Sequence, residues 1–390
     1  RINTRSSVRW SVRWLVALLG DTVIPFEFAG LRADNQTHGL RFIEPEILTI
    51  KNAAEHESVL AKQGIILDPQ VRKEVIRKQV LAISKKVGGS DQLDEGLLDE
   101  VNFLVEAPFA FLGTFEDSYL QLPPEVLISV MKKHQRYFPL QSADGKLLPH
   151  FIAVRNGGEQ GIDIVTDGNE QVVRARFADA NFFIREDLKH PLESMLTRLG
   201  TLTFQQKLGS MLEKSQRITA LVEKLAPAFG LSGDELKAAS RAAKLSKADL
   251  VTHMVVEMTS LQGVMGRYYA RYFGEPEAVA QALYEQYLPR YTGDAVPSSK
   301  IGLILGVADR LDSLTGLFAA GLAPTGTKDP FAQRRAALGL VQSLGAFNLD
   351  IDLREALKQA AAQYSFAIDQ KSLDATLDFI IGRLKNSLTD

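Results

Sequence analysis

Three basic clusters in this chain could act on a phosphorylated polymer, and a few acidic residues could begin an ion site. The densest cluster is Met131-Lys132-Lys133-His134-Gln135-Arg136-Tyr137-Phe138. Lys132, Lys133 and Arg136 could neutralise phosphates while Tyr137 or Phe138 stacks on an unpaired base, the combination RNA recognition favours. The same residues also read as a helix end whose rings enter the core and whose lysines face water. A second cluster sets Arg174, Arg176 and Arg185 among Asp179, Asn181, Phe177, Phe182 and Phe183. If this segment is a strand, the alternation Val173, Ala175, Phe177 puts Arg174 and Arg176 on one face. There they either bind phosphate bidentately or pair with Asp179 and Glu170 to fasten one domain to the next. The third cluster is Thr325-Gly326-Thr327-Lys328-Asp329-Pro330-Phe331, followed by Arg334 and Arg335. It reads as a loop entering a helix with Asp329 as N-cap and Pro330 at the first helical position. Lys328 could meet a phosphate drawn to that helix end, or the segment simply caps the helix with Arg334 and Arg335 solvated or paired to carboxylates. Finally, Asp249 and His253 lie four apart, on one face if helical, and with Asp309 they could begin a metal site. The plainer reading is a polar pair, and no metal ligand or catalytic residue is assigned.

These groups must be positioned by two textures that change near residue 190. In the first part, Thr22 to Phe28 and Ile47 to Ile50 look like short strands punctuated by Gly and Pro. Asp68 to Val87 reads as an amphipathic helix capped by Asp68, with Pro69 at its first position and Val71, Val75, Val80 and Ile83 near one face. Leu97 to Val105 reads as helical, and Phe109 to Phe115, Tyr137 to Leu140 and Phe151 to Val154 as strands. From Leu192 the pattern is helical. Thr203 to Phe229 repeats Phe204, Leu208, Met211, Leu212, Ile218, Leu221 and Leu225 at helical spacing, with a stop at Gly230. Further helices are predicted over 234–248, 250–272, 275–287, 297–320 and 329–345, and two more between Leu353 and Leu388. The expected organisation is an α+β region over 1–190, an all-α domain over 191–345 and a helical linker over 346–390.

The chain has 390 residues with 45% hydrophobic content, enough for two or three buried cores. It carries 45 basic against 47 acidic residues. A nucleic-acid partner must therefore be held by local patches rather than by the overall field. With no cysteine, disulfides, thiolate metal sites and cysteine nucleophiles are excluded, and a reducing cytoplasm is the expected compartment. Apolar runs such as Ile301 to Ala308 fall far short of the ~20 residues that span a bilayer, so no membrane partner is expected. Neither set of ATP-clamping signatures used by adenylating synthetases is present, nor a P-loop, a Gly-x-Ser-x-Gly elbow or a His-Glu-x-x-His helix.

Leu245 to Arg335 resembles a helical HD-type hydrolase domain that has lost its histidines. Leu245-Ser246-Lys247-Ala248-Asp249-Leu250 stands where such domains carry a His-Asp pair, Glu285-Gln286-Tyr287 puts an amide where another His often sits, and Val307-Ala308-Asp309 keeps the terminal Asp. Gln is a poor ligand beside imidazole, so the scaffold persists without its metal chemistry. Longer words run through the whole chain: Val12 to Asp21, Met131 to Pro139, Gly168 to Phe183, Leu208 to Ser210, Glu257 to Ala270, Glu285 to Asp294, Ala308 to Gly316 and Pro324 to Arg335. Together they resemble the β subunit of the bacterial-type, two-subunit glycyl-tRNA synthetase, a heterotetrameric enzyme. The resemblance implies a first domain related to the B3/B4 module of phenylalanyl-tRNA synthetases and a second, HD-like one. It implies an α subunit as partner, with ATP and Mg2+ bound there and no cofactor in this chain. It also implies tRNA(Gly) as the ligand, positioned here for glycine attachment at the α subunit's active site. The RNA contacts expected from the clusters above are Lys132, Lys133, Arg136, Arg174, Arg176, Lys328, Arg334 and Arg335. Family members begin earlier and continue past Asp390 into an anticodon-binding region, and the opening at Arg1 rather than Met agrees with a central fragment. An active HD-type phosphohydrolase and an editing hydrolase of mischarged tRNA are the alternatives.

Overall fold

A computed structural model describes residues 12–40 and 47–389. The chain divides into two compact units, 1–179 and 180–390. The first mixes small sheets with helices and the second is almost wholly helical, as the sequence texture predicts.

The first unit is organised by a three-stranded antiparallel sheet in which Leu147–Asn156 lies between Pro108–Thr114 and Phe138–Gln141. Shorter strand pairs, including Gln36–His38 with Ile47–Thr49, precede it. On one face, Phe138, Leu140 and Ile152 meet Ile76 and Val80 of helix Pro69–Lys86 and Leu97, Leu98 and Val101 of helix Glu95–Asn102. On the other, Phe151 is fully buried under Tyr137, their rings stacked at 4.8 Å. Phe177 meets Phe115 edge-on at 4.9 Å. Gly113 lies opposite Phe151 in the ladder, and a Cβ there would stand 2.2 Å from the Phe151 ring. Only a residue without a side chain lets that ring lie flat on the strand.

Helix Pro69–Lys86 starts as predicted, with the Asp68 carboxylate accepting from the Gln70 and Val71 N–H groups. Its buried stripe, however, is Arg72, Ile76, Val80 and Ser84, and Val71 faces solvent. The rotation has a polar cause. The Arg72 guanidinium donates to the Asn102 carbonyl and side chain and to the Ile66 carbonyl, so a cation occupies an interior helix position with its donors satisfied. The segment carrying Arg174 and Arg176 is also corrected. It belongs to helix Ile162–Asp187, where residues two apart point to different sides.

In the second unit, helix Lys300–Ala319 is buried almost all round. Met211–Leu225, Gly233–Leu245, Glu277–Glu285, Gln333–Ala346, Leu353–Ala361 and Gln370–Thr389 all pack against it. Three predicted helix starts shift the most. The helix expected from Thr203 begins at Met211, because Ser210 and Glu213 form a reciprocal capping box, and Thr203–Gln205 pairs with Gly209–Ser210 instead. The helix expected over 250–272 is broken into short turns before Val264–Tyr272, with Thr252 capping one turn and Gly263 at φ +77° making a bend. The last begins at Gln333 rather than beside Pro330, although Asp329 still caps it from a distance. Among the described residues no helix is long and apolar enough to cross a membrane.

Gly113→Ala is expected to lower the stability of the first unit by about 1–3 kcal/mol through overpacking against Phe151. Chemical denaturation followed by aromatic fluorescence reads this directly, and an unchanged midpoint would contradict the close approach.

Candidate functional site

The second unit holds a connected set of buried charges around Asp309, in helix Lys300–Ala319. Lys247 donates to Asp309 Oδ2 at 2.9 Å and to Gln286 Oε1 at 2.8 Å, with its Nζ 4.6 Å from the Tyr287 ring centre. Lys214, from helix Met211–Leu225, lies 2.9 Å from Asp309 Oδ1, 2.9 Å from Asp312 Oδ2 and 2.7 Å from Ser313 Oγ. Arg217, one turn on, donates to Asp312 Oδ1 at 2.6 Å. The Gln286 amide nitrogen donates to the Ser246 and Leu283 carbonyls, which fixes its oxygen toward Lys247. Asp249 faces a different set: its Oδ2 accepts from the N–H groups of Gly263 at 2.6 Å and Gly266 at 3.2 Å. The bend at Gly263 brings both donors to the carboxylate.

Burial and charge compete at each group. Burial works to hold Asp309 neutral, but the two ammonium groups outweigh it and keep the carboxyl well below the usual carboxylate range. For Lys214, burial is outweighed by Asp309 and Asp312, so its value rises. For Lys247 burial wins over Asp309, and its value falls. Burial pushes Asp249 up to about 6 against the pull of its two backbone donors.

The residues considered for an ion do not converge. Asp309 is taken by two ammonium groups and Asp249 by backbone N–H groups. His253 Nδ1 lies 2.8 Å from the buried Asp187, which also accepts from the Met254 N–H and the Tyr269 hydroxyl. Asp249 sits in the turn Ala248–Val251 and His253 opens the next helix, so their spacing of four does not place them on one helical face. Among the described residues no group of three His, Asp or Glu side chains is placed to hold a metal. The donor set does not fit a divalent ion: cations already fill the positions next to the one carboxylate an ion would need.

The basic candidates sort by partner. Lys132 pairs with Asp94 and Arg136 with Glu100 at 2.7 Å, while Tyr137 and Phe138 go into the core. Arg174 pairs with Glu116 at 2.6 Å, not with Asp179 or Glu170, and Glu170 accepts from Thr114. Arg334 donates to the Gly326 carbonyl at 2.6 Å and Arg335 reaches the Arg290 carbonyl at 3.5 Å. Asp329 accepts from the Gln333 and Arg334 N–H groups, so the helix end expected to draw a phosphate beside Lys328 is occupied by the chain's own carboxylate. Lys133, Arg176 and Lys328 are exposed, and none has a carboxylate partner among the described residues. Sequence reasoning missed Lys214 and Arg217, although a lysine in register with Ile218, Leu221 and Leu225 is a cation on an apolar stripe. It also missed Arg267 and Arg290, whose guanidinium carbons lie 4.3 and 4.9 Å from the Tyr284 ring centre.

Asp309→Asn leaves two buried ammonium groups short of a counter-charge and is expected to cost about 3–5 kcal/mol of stability. Lys247→Met should cost less, since Lys214 still neutralises Asp309; equilibrium unfolding of the two variants ranks them. Asp249 has the opposite sign. Its folded value of about 6 lies above the ordinary 3.8, so the unfolded chain ionises first. Stability is then lost as pH rises from about 4 to about 6, by about 3 kcal/mol in all. Asp249→Asn should flatten that part of the stability profile, and an unchanged difference between variant and parent across this range would contradict the assignment.

The family model described as "Glycyl-tRNA synthetase beta subunit" matches residues 4–390. A glycine–tRNA ligase beta subunit from Clostridioides difficile (strain 630) is 45% identical over 381 residues, covering 97% of this chain and 55% of that protein. One from Chromohalobacter salexigens is 46% identical over 383 residues, covering 98% and 55%. One from Bacillus subtilis (strain 168) is 43% identical over 374 residues, covering 96% and 54%. The chain thus spans little more than half the length of the curated relatives it matches. The model match over residues 4–390, with 43–46% identity over 96–98% of the chain, establishes that the chain belongs to the glycyl-tRNA synthetase beta-subunit family.

Proposed function

We propose that this chain is the central part of the tRNA-binding subunit of glycine–tRNA ligase. It holds tRNA(Gly) so that the acceptor end reaches the active site of a separate α subunit, where ATP and Mg2+ are bound and glycine is attached. Its share in the reaction is orientation, which turns a two-body transfer into one between positioned groups. In this reading the first unit is a B3/B4-like domain and the second an HD-like scaffold, and the complex works in the cytoplasm. The observation that carries the proposal is the family match over residues 4–390. It is supported by the charge set around Asp309, where ammonium groups stand beside the carboxylate that a phosphohydrolase of this layout would give to its ion. A hydrolase needs metal-activated water, and that arrangement disfavours it.

Exposed cations with no internal counter-charge lose least on meeting a phosphate, so Lys133, Arg176 and Lys328 are the first RNA contacts in this reading. Lys132, Arg136, Arg174, Arg334 and Arg335 must first give up a carboxylate or a carbonyl. Aminoacylation of tRNA(Gly) by the separate α subunit should depend on the β polypeptide at full length. Alanine at Lys133, Arg176 or Lys328 should each lower the slope of log affinity against log salt by about 0.7–0.9, whereas alanine at Arg136 or Arg174 should leave it nearly unchanged. Charging that proceeds without the β polypeptide, or an affinity indifferent to salt, would overturn the proposal.

A further inference from the structure

A cleft of about 290 Å3 opens in the first unit between the C-terminal half of helix Pro69–Lys86, the loop leading to helix Glu95–Asn102 and strand Phe138–Gln141. Its lining is more polar than apolar, with an apolar patch formed by Leu81, Leu93, Ile128 and Phe138, and its two charged groups are Asp94 and Lys132, which pair with each other. The two are anchored independently. Asp94 Oδ1 accepts from the Leu97 N–H at 2.9 Å and so caps a helix whether or not Lys132 is near. Lys132 leaves the turn Val130–His134 next to the fully buried Met131. Their side chains are 38% and 33% exposed, and ion pairs this open to water contribute little net stability. A ligand offering an equal partner to each charge can therefore displace the pair with little loss.

The charge arrangement selects the ligand. An anion alone would satisfy Lys132 and face a carboxylate; a cation alone would satisfy Asp94 and face an ammonium. A molecule carrying both charges close together satisfies the two groups at once, and the apolar patch of Leu81, Leu93, Ile128 and Phe138 rewards a small aliphatic substituent beside them. The volume lies near the lower end of small-molecule sites, about 300–1,000 Å3. We propose that this cleft binds a free α-amino acid with an aliphatic side chain, its carboxylate on Lys132, its ammonium on Asp94 and its side chain against Leu81, Leu93, Ile128 and Phe138. Glycine carries both charges but nothing to cover the lining, so it binds weakly. The site gives a role to Lys132 that is independent of RNA, and it stands or falls apart from the tRNA-binding reading.

Calorimetric titration of the protein with L-valine, glycine, 3-methylbutanoate and isobutylamine tests this. L-valine is expected to bind, and glycine and the two single-charge analogues to bind at least about tenfold more weakly. Lys132→Met and Asp94→Asn should each weaken L-valine about tenfold, the latter keeping an acceptor for the Leu97 N–H; Lys78→Ala, at an exposed lysine outside the cleft, should leave L-valine binding unchanged. The ligand comparison uses the unaltered protein and so holds even where a variant misfolds. No heat with millimolar L-valine, equal affinity for valine and glycine, or full binding by folded Lys132→Met overturns the proposal.

Discussion

Neutralising one carboxylate on a helix that shows almost no face to solvent is the constraint on which the second unit depends. Asp309 sits in Lys300–Ala319, surrounded by other helices, and a lone ionised carboxylate there would be costly. Two lysines from different elements solve the problem together, one before the bend that feeds Asp249 and one on the capped helix Met211–Leu225. The surrounding polar groups follow from those lysines. Gln286 is turned by two carbonyls so that its oxygen meets Lys247, and Asp312 is shared between Lys214 and Arg217. Ions in such a place are usually held because the alternatives are worse, since removing one partner costs more than the pair contributes.

The first unit solves a different problem, stacking two aromatic layers on a narrow sheet. Gly113 gives Phe151 room and Phe151 gives Tyr137 a surface, while the Tyr137 hydroxyl reaches Asn169. The basic residues interleaved with these rings are thereby sent outward, where nearby carboxylates claim some and leave others free. Sequence proximity among Lys132, Lys133 and Arg136 therefore hides three different environments.

Much of this was legible in the chain itself. The change from mixed to helical texture, the Asp68 cap, the three main strands and the paired helices at the end follow from local periodicity and capping chemistry, which act within a few residues. That no histidine immediately precedes Asp249 and that an amide stands at Gln286 was legible too. The pairing of Asp309 with Lys214 was not, because the two lie some ninety-five residues apart and no spacing rule joins them. The rotation of helix Pro69–Lys86 was hidden for the same reason: Arg72 is interior only because Asn102 and Ile66 are there to receive it. Arg174 and Arg176 were placed on one face by assuming a strand, when apolar residues at 173, 177, 180 and 184 already carried a helical period.

Helices Leu353–Ala361 and Gln370–Thr389 both cover the Lys300–Ala319 helix, and the Tyr364 hydroxyl between them donates to the Asp312 carbonyl at 2.7 Å. Residues that read as a trailing connector are in fact a wall of the same interior. Tyr364 also lays its ring over the Arg217 guanidinium, so the seating of these last two helices bears directly on the surroundings of Asp312 and its cations.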